Sequence, residues 1–206
     1  MRSEDVDMVF FDLDGTLINP RKRLHTLFVE LSGSQIGFDE YWKCKDKGLN
    51  QAQMLEHIGY RYSCREFNKR WLEEIERKDL LSLDEVFTDV PPLLESLRTY
   101  KIKMFIVTNR QSYENLEWEL LQFGISGYFD AVISTFQKCS KDEAVVKLGL
   151  CTENSVFVGD SEEDMNAARA LGINGILIHR DSTGGCVNMD SKYNITNLSE
   201  LRGILF

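Results

Sequence analysis

The sequence predicts an α/β fold: a parallel sheet with helices on both faces, interrupted after its first strand by an all-helical insert. Three observations carry this. Short β-branched and aromatic runs alternate with amphipathic stretches of helix length. Three of those stretches stop at a glycine followed by an apolar residue. The segment 18–88 has helical periodicity and no convincing buried strand.

The strand candidates are Met8-Val-Phe-Phe11, Lys103-Met-Phe-Ile-Val107, Ala131-Val-Ile133, Ser155-Val-Phe-Val158 and Gly175-Ile-Leu-Ile178. They are nearly continuous apolar runs, as expected of strands covered on both faces. Helix-length stretches lie between them, near 92–100, 112–123, 141–148 and 163–171. Strand then helix, repeated, implies right-handed crossovers and parallel pairing. In Phe123-Gly-Ile125, Leu148-Gly-Leu150 and Leu171-Gly-Ile173 the glycine stands where a helix would stop, and the next apolar residue can fold back on the last turn. Pro91-Pro92 marks a helix start, where the missing N–H has no intrahelical partner to lose.

The insert differs in pattern and in charge. Leu24/Leu27/Phe28/Leu31 and Phe67/Trp71/Leu72/Ile75 recur at helical spacing, and 12 bases balance 12 acids over 18–88. The rest of the chain therefore carries the whole net charge of −9. Boundaries follow: 1–17 and 89–206 form the α/β core, and 18–88 a helical domain.

Composition excludes several classes. With 43% hydrophobic and 28% charged residues, the 206-residue chain can bury a core. No apolar run approaches the roughly 18 residues of a bilayer span, so no membrane partner is expected. The first residues are too acidic and polar for a secretion signal. An acidic chain is a poor match for a phosphate backbone, so no nucleic-acid partner is expected. Cys44, Cys64, Cys139, Cys151 and Cys186 are odd in number and scattered, and His25, His57 and His179 do not cluster with them. Neither a disulfide framework nor a zinc site fits, and a reducing cytoplasm is the natural setting. Asn194-Ile-Thr196 and Asn197-Leu-Ser199 read as turn and helix-cap chemistry.

The strongest chemical signal is Phe11-Asp12-Leu13-Asp14-Gly15-Thr16, directly after the first strand. Ligands of parallel α/β sheets sit beyond the carboxyl ends of strands, which is where these acids fall. Strand alternation sends Asp12 and Asp14 roughly to one side. Gly15 lets the backbone come close to an anion, and Thr16 can tie down the turn. Two further segments end later strands: Val107-Thr108-Asn109, and Gly159-Asp160-Ser161-Glu162-Glu163-Asp164. Alone, an Asp-x-Asp or an acidic helix start is commonly a solvated cap. Together, with Thr108 96 residues after Asp12 and Asp160 52 after Thr108, at three successive strand ends, coincidence is the poorer account.

These segments resemble the haloacid dehalogenase-like superfamily, in its magnesium-dependent phosphatase branch with a helical cap. The resemblance spans roughly 8–17 and 90–196. It implies a Rossmann-like core and a phosphatase acting on a small phosphorylated metabolite. By that resemblance Asp12 attacks phosphorus and becomes an aspartyl-phosphate, and Asp14 protonates the leaving oxygen and then activates water. Mg2+ would be held by the Asp12 and Asp160 side chains and the Asp14 backbone carbonyl, with Asp164 bracing from behind. Thr108, Asn109 and a lysine would hold the phosphate. Lys141 opens a helix and suits that position; Lys138 is the alternative, because the Lys-Pro pair of many relatives is missing.

The insert corresponds to the family's cap, which would exclude water on closing. Its hinges would be 17–20 and 87–91. Lys47-Gly48-Leu49-Asn50 resembles the specificity loop of capped relatives, with Lys47 or Asn50 meeting the leaving group; Lys43, Lys45 and Lys47 read equally well as a wet helix face. Tyr41-Trp42, Phe67 and Trp71 read as insert core, Arg21-Lys22-Arg23 as a solvated start of the first insert helix, and His25 as a lone histidine near the hinge. A phosphomutase of the same superfamily remains open, as does a non-hydrolytic receiver or phosphate-binding relative. The oligomeric state is not legible.

Overall fold

A computed structural model describes residues 6–150, 153–180 and 191–205, so Cys151 and Cys186 lie outside it. The described chain falls into two compact units, an α/β body (6–19, 85–150, 153–180 and 191–205) and a helical unit (20–84). No helix among the described residues is long and apolar enough to cross a membrane.

The strands in chain order are β1 (Met8–Phe11), β2 (Ile18–Asn19), β3 (Glu85–Val86), β4 (Lys103–Thr108), β5 (Ala131–Ser134), β6 (Ser155–Gly159), β7 (Asn174–Ile178) and β8 (Tyr193–Ile195). Six of them form one parallel sheet in the order β5-β4-β1-β6-β7-β8. The chain leaves β1, builds outward through β4 and β5, then returns to the other side of β1 with β6. The order thus reverses at β1, and its carboxyl end opens on the crevice where such sheets bind ligands.

Residues alternate between the sheet's two faces. Val9, Phe11, Met104, Ile106, Val156, Val158, Ile176 and Ile178 belong to one core. It is shared with α6 (Val90–Thr99), α7 (Tyr113–Gln122) and α10 (Leu201–Leu205). Phe10, Phe105, Val107, Ile133 and Phe157 belong to the other, with α8 (Lys141–Val146) and α9 (Glu162–Leu171). Phe10 is fully buried, with Phe105 and Phe157 stacked beside it at centroid distances of 5.2 and 6.2 Å. Side chains of this size contribute about 1.5–3 kcal/mol each on burial, so the central strand is also the best anchored.

The expected helix stops are present: Gly124, Gly149 and Gly172 take φ of +66°, +65° and +70°. The two prolines occupy the first turn of α6 behind Val90. Asn197 caps the turn Leu198–Glu200 by accepting from Ser199 N. Several expectations need correction. β8 is an edge strand too short and polar to register as an apolar run, and Asn194 lies in it rather than in a turn. β2 and β3, two residues each, pair antiparallel at the two ends of the segment read as strand-free.

In the helical unit α1 (Arg21–Ser32), α2 (Phe38–Asp46), α3 (Gln51–His57), α4 (Cys64–Glu74) and α5 (Lys78–Leu81) surround one apolar cluster. Tyr41, Phe67, Trp42 and Trp71 belong to it, with Phe28 edge-on to Phe67 at 5.7 Å. Leu72 departs from the expected stripe and is 43% exposed. His25 is spent locally, against the Ile36 carbonyl and the rings of Phe38 and Tyr41. Arg23 is buried instead of solvated. Its Nε meets both Asp84 carboxylate oxygens at 3.0 and 2.8 Å, and Nη1 donates to the Ile75 carbonyl. Arg23 lies on the unit's first helix and Asp84 is its last residue, so this ion pair fastens the unit's two ends together. Removing either partner would strand a buried charge.

Candidate active site

The site starts where β1 ends. Asp12 N still donates to Val158 O at 2.9 Å, and then the chain reverses. Leu13 O accepts from Leu17 N and Ile18 N, and Gly15 N donates to Ile18 O at 2.7 Å. Gly15 sits at φ +86°, and a Cβ there would stand 1.9 Å from Asp160 Oδ2. Only glycine lets this turn and the Asp160 carboxylate occupy adjoining space. The Thr16 hydroxyl donates to Asp12 Oδ2 at 3.2 Å, which ties the turn to the acid as anticipated.

Asp160 follows β6, and Asp164 lies in the first turn of α9, where it completes a capping box with Ser161. A Cβ on Gly159 would fall 2.2 Å from the Asp164 carboxyl carbon, so that glycine is again a condition of close approach. Asp12, Asp160 and Asp164 each offer an oxygen within 4.8 Å of the others. Lys141, the first residue of α8, is 3% exposed. Its Nζ donates to Asp12 Oδ1 at 2.5 Å and to Asp164 Oδ1 at 2.6 Å. Lys138 is exposed, one turn before the helix. The geometry therefore brings Lys141, and not Lys138, to the acids.

Crowding sets the electrostatics. Burial raises the Asp12 carboxyl to about 7; the Lys141 ammonium opposes the shift, and Asp164 and Asp14 add to it. Asp160 stays reachable by water, yet protein atoms crowd it from most directions. That desolvation, with the Asp12 and Asp164 charges, pushes it well above the usual carboxylate range. Burial alone would lower Lys141, but Asp12 and Asp164 outweigh it and hold the ammonium above the ordinary lysine range. One ammonium does not neutralise three acids. Clustered carboxylates, with Asp12 and Asp160 raised in proton affinity, form the donor set that a hard, oxygen-seeking divalent cation satisfies.

Thr108 ends β4 and is buried, with its Oγ1 accepting from Arg110 N at 3.4 Å. Asn109 is held on both sides: its Nδ2 donates to the Glu163 carboxylate at 2.9 Å, and its Oδ1 accepts from the Thr135 hydroxyl at 2.7 Å. The Asp14 carboxylate accepts from Arg110 Nε at 2.6 Å and Nη2 at 2.9 Å. Lys47 and Asn50 belong to the helical unit. Lys47 caps the end of α2 and is exposed; the Asn50 side-chain Oδ1 accepts from Gln53 N in a capping box that starts α3. Lys45, read as part of a wet face, is half-buried and donates to Leu49 O.

Three participants escaped the sequence reading. Arg180, just after β7, donates to the Thr16 carbonyl from Nε and Nη2 and to Asp89 Oδ2 from Nη1, with its guanidinium 3.9 Å above the Phe87 ring. It joins the turn after Asp12 to the segment that leads back from the helical unit. Its only sequence signal was a strand-end position. Arg110 directly follows Thr108-Asn109, which was a usable signal. Glu119 falls between Leu116 and Leu120 on the buried stripe of α7, and an acid on an apolar stripe was another.

The sequence model of the family described as "Haloacid dehalogenase-like hydrolase" matches residues 9–178. A phosphoglycolate phosphatase of Aquifex aeolicus is 30% identical over 180 residues, covering 80% of this chain and 81% of its own. A GMP/IMP nucleotidase of Escherichia coli is 26% identical over 216 residues, covering 91% and 86%. The crystal structure of an HAD phosphatase from Thermococcus onnurineus superposes with a TM-score of 0.63 at 25% identity, covering 97% and 98% of the two chains.

Proposed function

The chain belongs to the haloacid dehalogenase-like hydrolases, and from that premise we propose that this phosphatase transfers the phosphoryl group of a small phosphorylated metabolite to Asp12 and then to water. The observation that carries the reading is the placement of Asp12. Its carboxylate lies at the mouth of the central strand, with one oxygen bonded to Lys141 and the other to Thr16. A nucleophile so fixed has little orientational freedom left to lose before an in-line attack.

In the proposed sequence an Asp12 oxygen bonds to phosphorus as the ester oxygen leaves, taking its proton from Asp14. Asp14 then removes a proton from water, which attacks the aspartyl-phosphate, and Asp12 is regenerated with release of phosphate. Lys141 and Thr108 would bear the equatorial oxygens' charge. Asn109, held by Glu163 and Thr135, would present its amide edge beside them. Asp12, Asp160 and the Asp14 backbone carbonyl would hold Mg2+, with Asp164 fixing Lys141 and Ser161 behind them; the ion supplies charge neutralisation of the transferring group. The cytoplasm is the setting of this reading, where the chain's cysteines stay reduced.

The test is phosphate release from a panel of phosphosugars, nucleotides and phospho-acids, with and without Mg2+. Release from none of them would sink the proposal. The helical unit, as the family's cap, would close over the substrate and choose the leaving group through 47–50. Lys47→Ala should then change kcat/KM for the preferred metabolite by about tenfold and leave a generic aryl phosphate nearly unaffected. Asn50→Ala removes an N-cap and should cost about 1 kcal/mol of stability. Equal losses on both substrates in Lys47→Ala would make that lysine structural.

A further inference from the structure

We propose that Arg110, backed by Glu119, is the residue that positions Asp14 for proton transfer; this rests on the acid–base reading of Asp14 above. The Arg110 guanidinium grips Asp14 with two parallel donors, Nε to Oδ2 at 2.6 Å and Nη2 to Oδ1 at 2.9 Å. A fork of this kind fixes the plane of a carboxylate as well as its distance. The same Nη2 that reaches Asp14 also lies 3.1 Å from Glu119 Oε2.

Burial gives the arrangement its meaning. The Arg110 side chain is 5% exposed and that of Glu119 1%, whereas Asp14 is 32% exposed. Glu119 stands on the core stripe of α7, an expensive place for a carboxylate unless it holds a cation. Neither buried charge has a use in the proposed chemistry by itself. Together they form a rod from the core to the one member that reaches the solvent, Asp14. The loop that carries Arg110 is pinned as well: Ser134 Oγ donates to the Arg110 carbonyl, and Arg110 N donates to Thr108 Oγ1. Asp14 itself sits on a tight turn beside Gly15 and gains from Arg110 the orientation that the turn does not give it. One carboxylate oxygen can leave the fork to give or take a proton while the other keeps the side chain anchored. A misplacement of about 1 Å at such a group costs on the order of 100-fold in rate.

The experiment compares 4-nitrophenyl phosphate, whose phenolate departs with little need of a proton, with phenyl phosphate, whose leaving oxygen needs one, using the full chain with Mg2+. Arg110→Ala should lower kcat for phenyl phosphate about tenfold or more beyond its loss on 4-nitrophenyl phosphate. KM and inhibition by orthophosphate should stay within about threefold. Arg110→Lys, which keeps the charge without the fork, should fall between, and the isosteric Glu119→Gln should move kcat the same way by less. In an Asp14→Asn background Arg110→Ala should add less than about twofold, because the two act as a unit. Equal losses on both esters, weakened orthophosphate inhibition, or additive effects in the double variant would overturn the proposal. If Arg110→Ala does not fold, Arg110→Lys and Glu119→Gln carry the same comparison. If Asp14→Asn itself fails to discriminate the two esters, the acid–base reading falls, and the proposal with it.

Discussion

Asp12→Asn should lower kcat by about 10^4-fold or more, with binding of orthophosphate retained, because the amide keeps the shape of the side chain and loses the nucleophile. The same variant should change the metal-free protein's stability in a direction that the site dictates. Folded Asp12 titrates at about 7 against an ordinary value of 3.8. Between those two values the folded chain keeps a proton that the unfolded chain has released. Stability of the metal-free protein therefore falls as pH rises from about 4 to about 7, by on the order of a few kcal/mol, and stays low above that. The asparagine variant lacks this proton and should have a flatter profile across that window. Urea unfolding at several pH values, together with initial rates on an aryl phosphate, checks both halves. Undiminished turnover in Asp12→Asn would remove the proposed covalent step.

Mg2+ should raise the melting temperature, and more so at pH 8 than at pH 5.5. At a free ion concentration about 100 times Kd, binding to the folded state alone adds about 2.7 kcal/mol. For a chain of this size that is about 5–10 °C, at about 2–4 °C per kcal/mol. Below about 7 the ion must displace the Asp12 proton, and a raised Asp160 adds to that competition, so affinity drops with pH. A chelator should reverse the shift. An equal Mg2+ effect at both pH values would mean that the cation sits elsewhere than on Asp12 and Asp160. No shift at either would argue against binding to this acidic group.

How much of this could be read from the chain depends on whether a feature is local. β1, β4, β6 and β7 could be read because strands covered on both faces need long apolar runs, and β5, at one edge of the sheet, because Ala131-Val-Ile133 is still an apolar run. β8 could not, because an edge strand of three residues needs none. Asp12, Asp160 and Asp164 stood out because turns and helix caps place them within a few residues of a strand end. Arg23 looked like a solvated base because its partner, Asp84, is 61 residues away. Arg110 and Glu119 carried signals of their own, a base directly after Thr108-Asn109 and an acid on an apolar stripe, but the partner that gives Arg110 its place, Asp14, is 96 residues away.

The sequence by itself determined the α/β order, the helical insert and the acids at three strand ends, since these follow from hydrophobic period and from the residue types that turns and caps require. Only the tertiary structure decided that Lys141 meets Asp12, that Asp14 rests on Arg110, that Asn109 is held by Glu163, and that Arg180 joins Thr16 to Asp89. Each of these joins groups carried by different strands, helices or turns. Their distances depend on how strands order themselves around β1 and how helices pack on its two faces, which no local pattern of residues encodes.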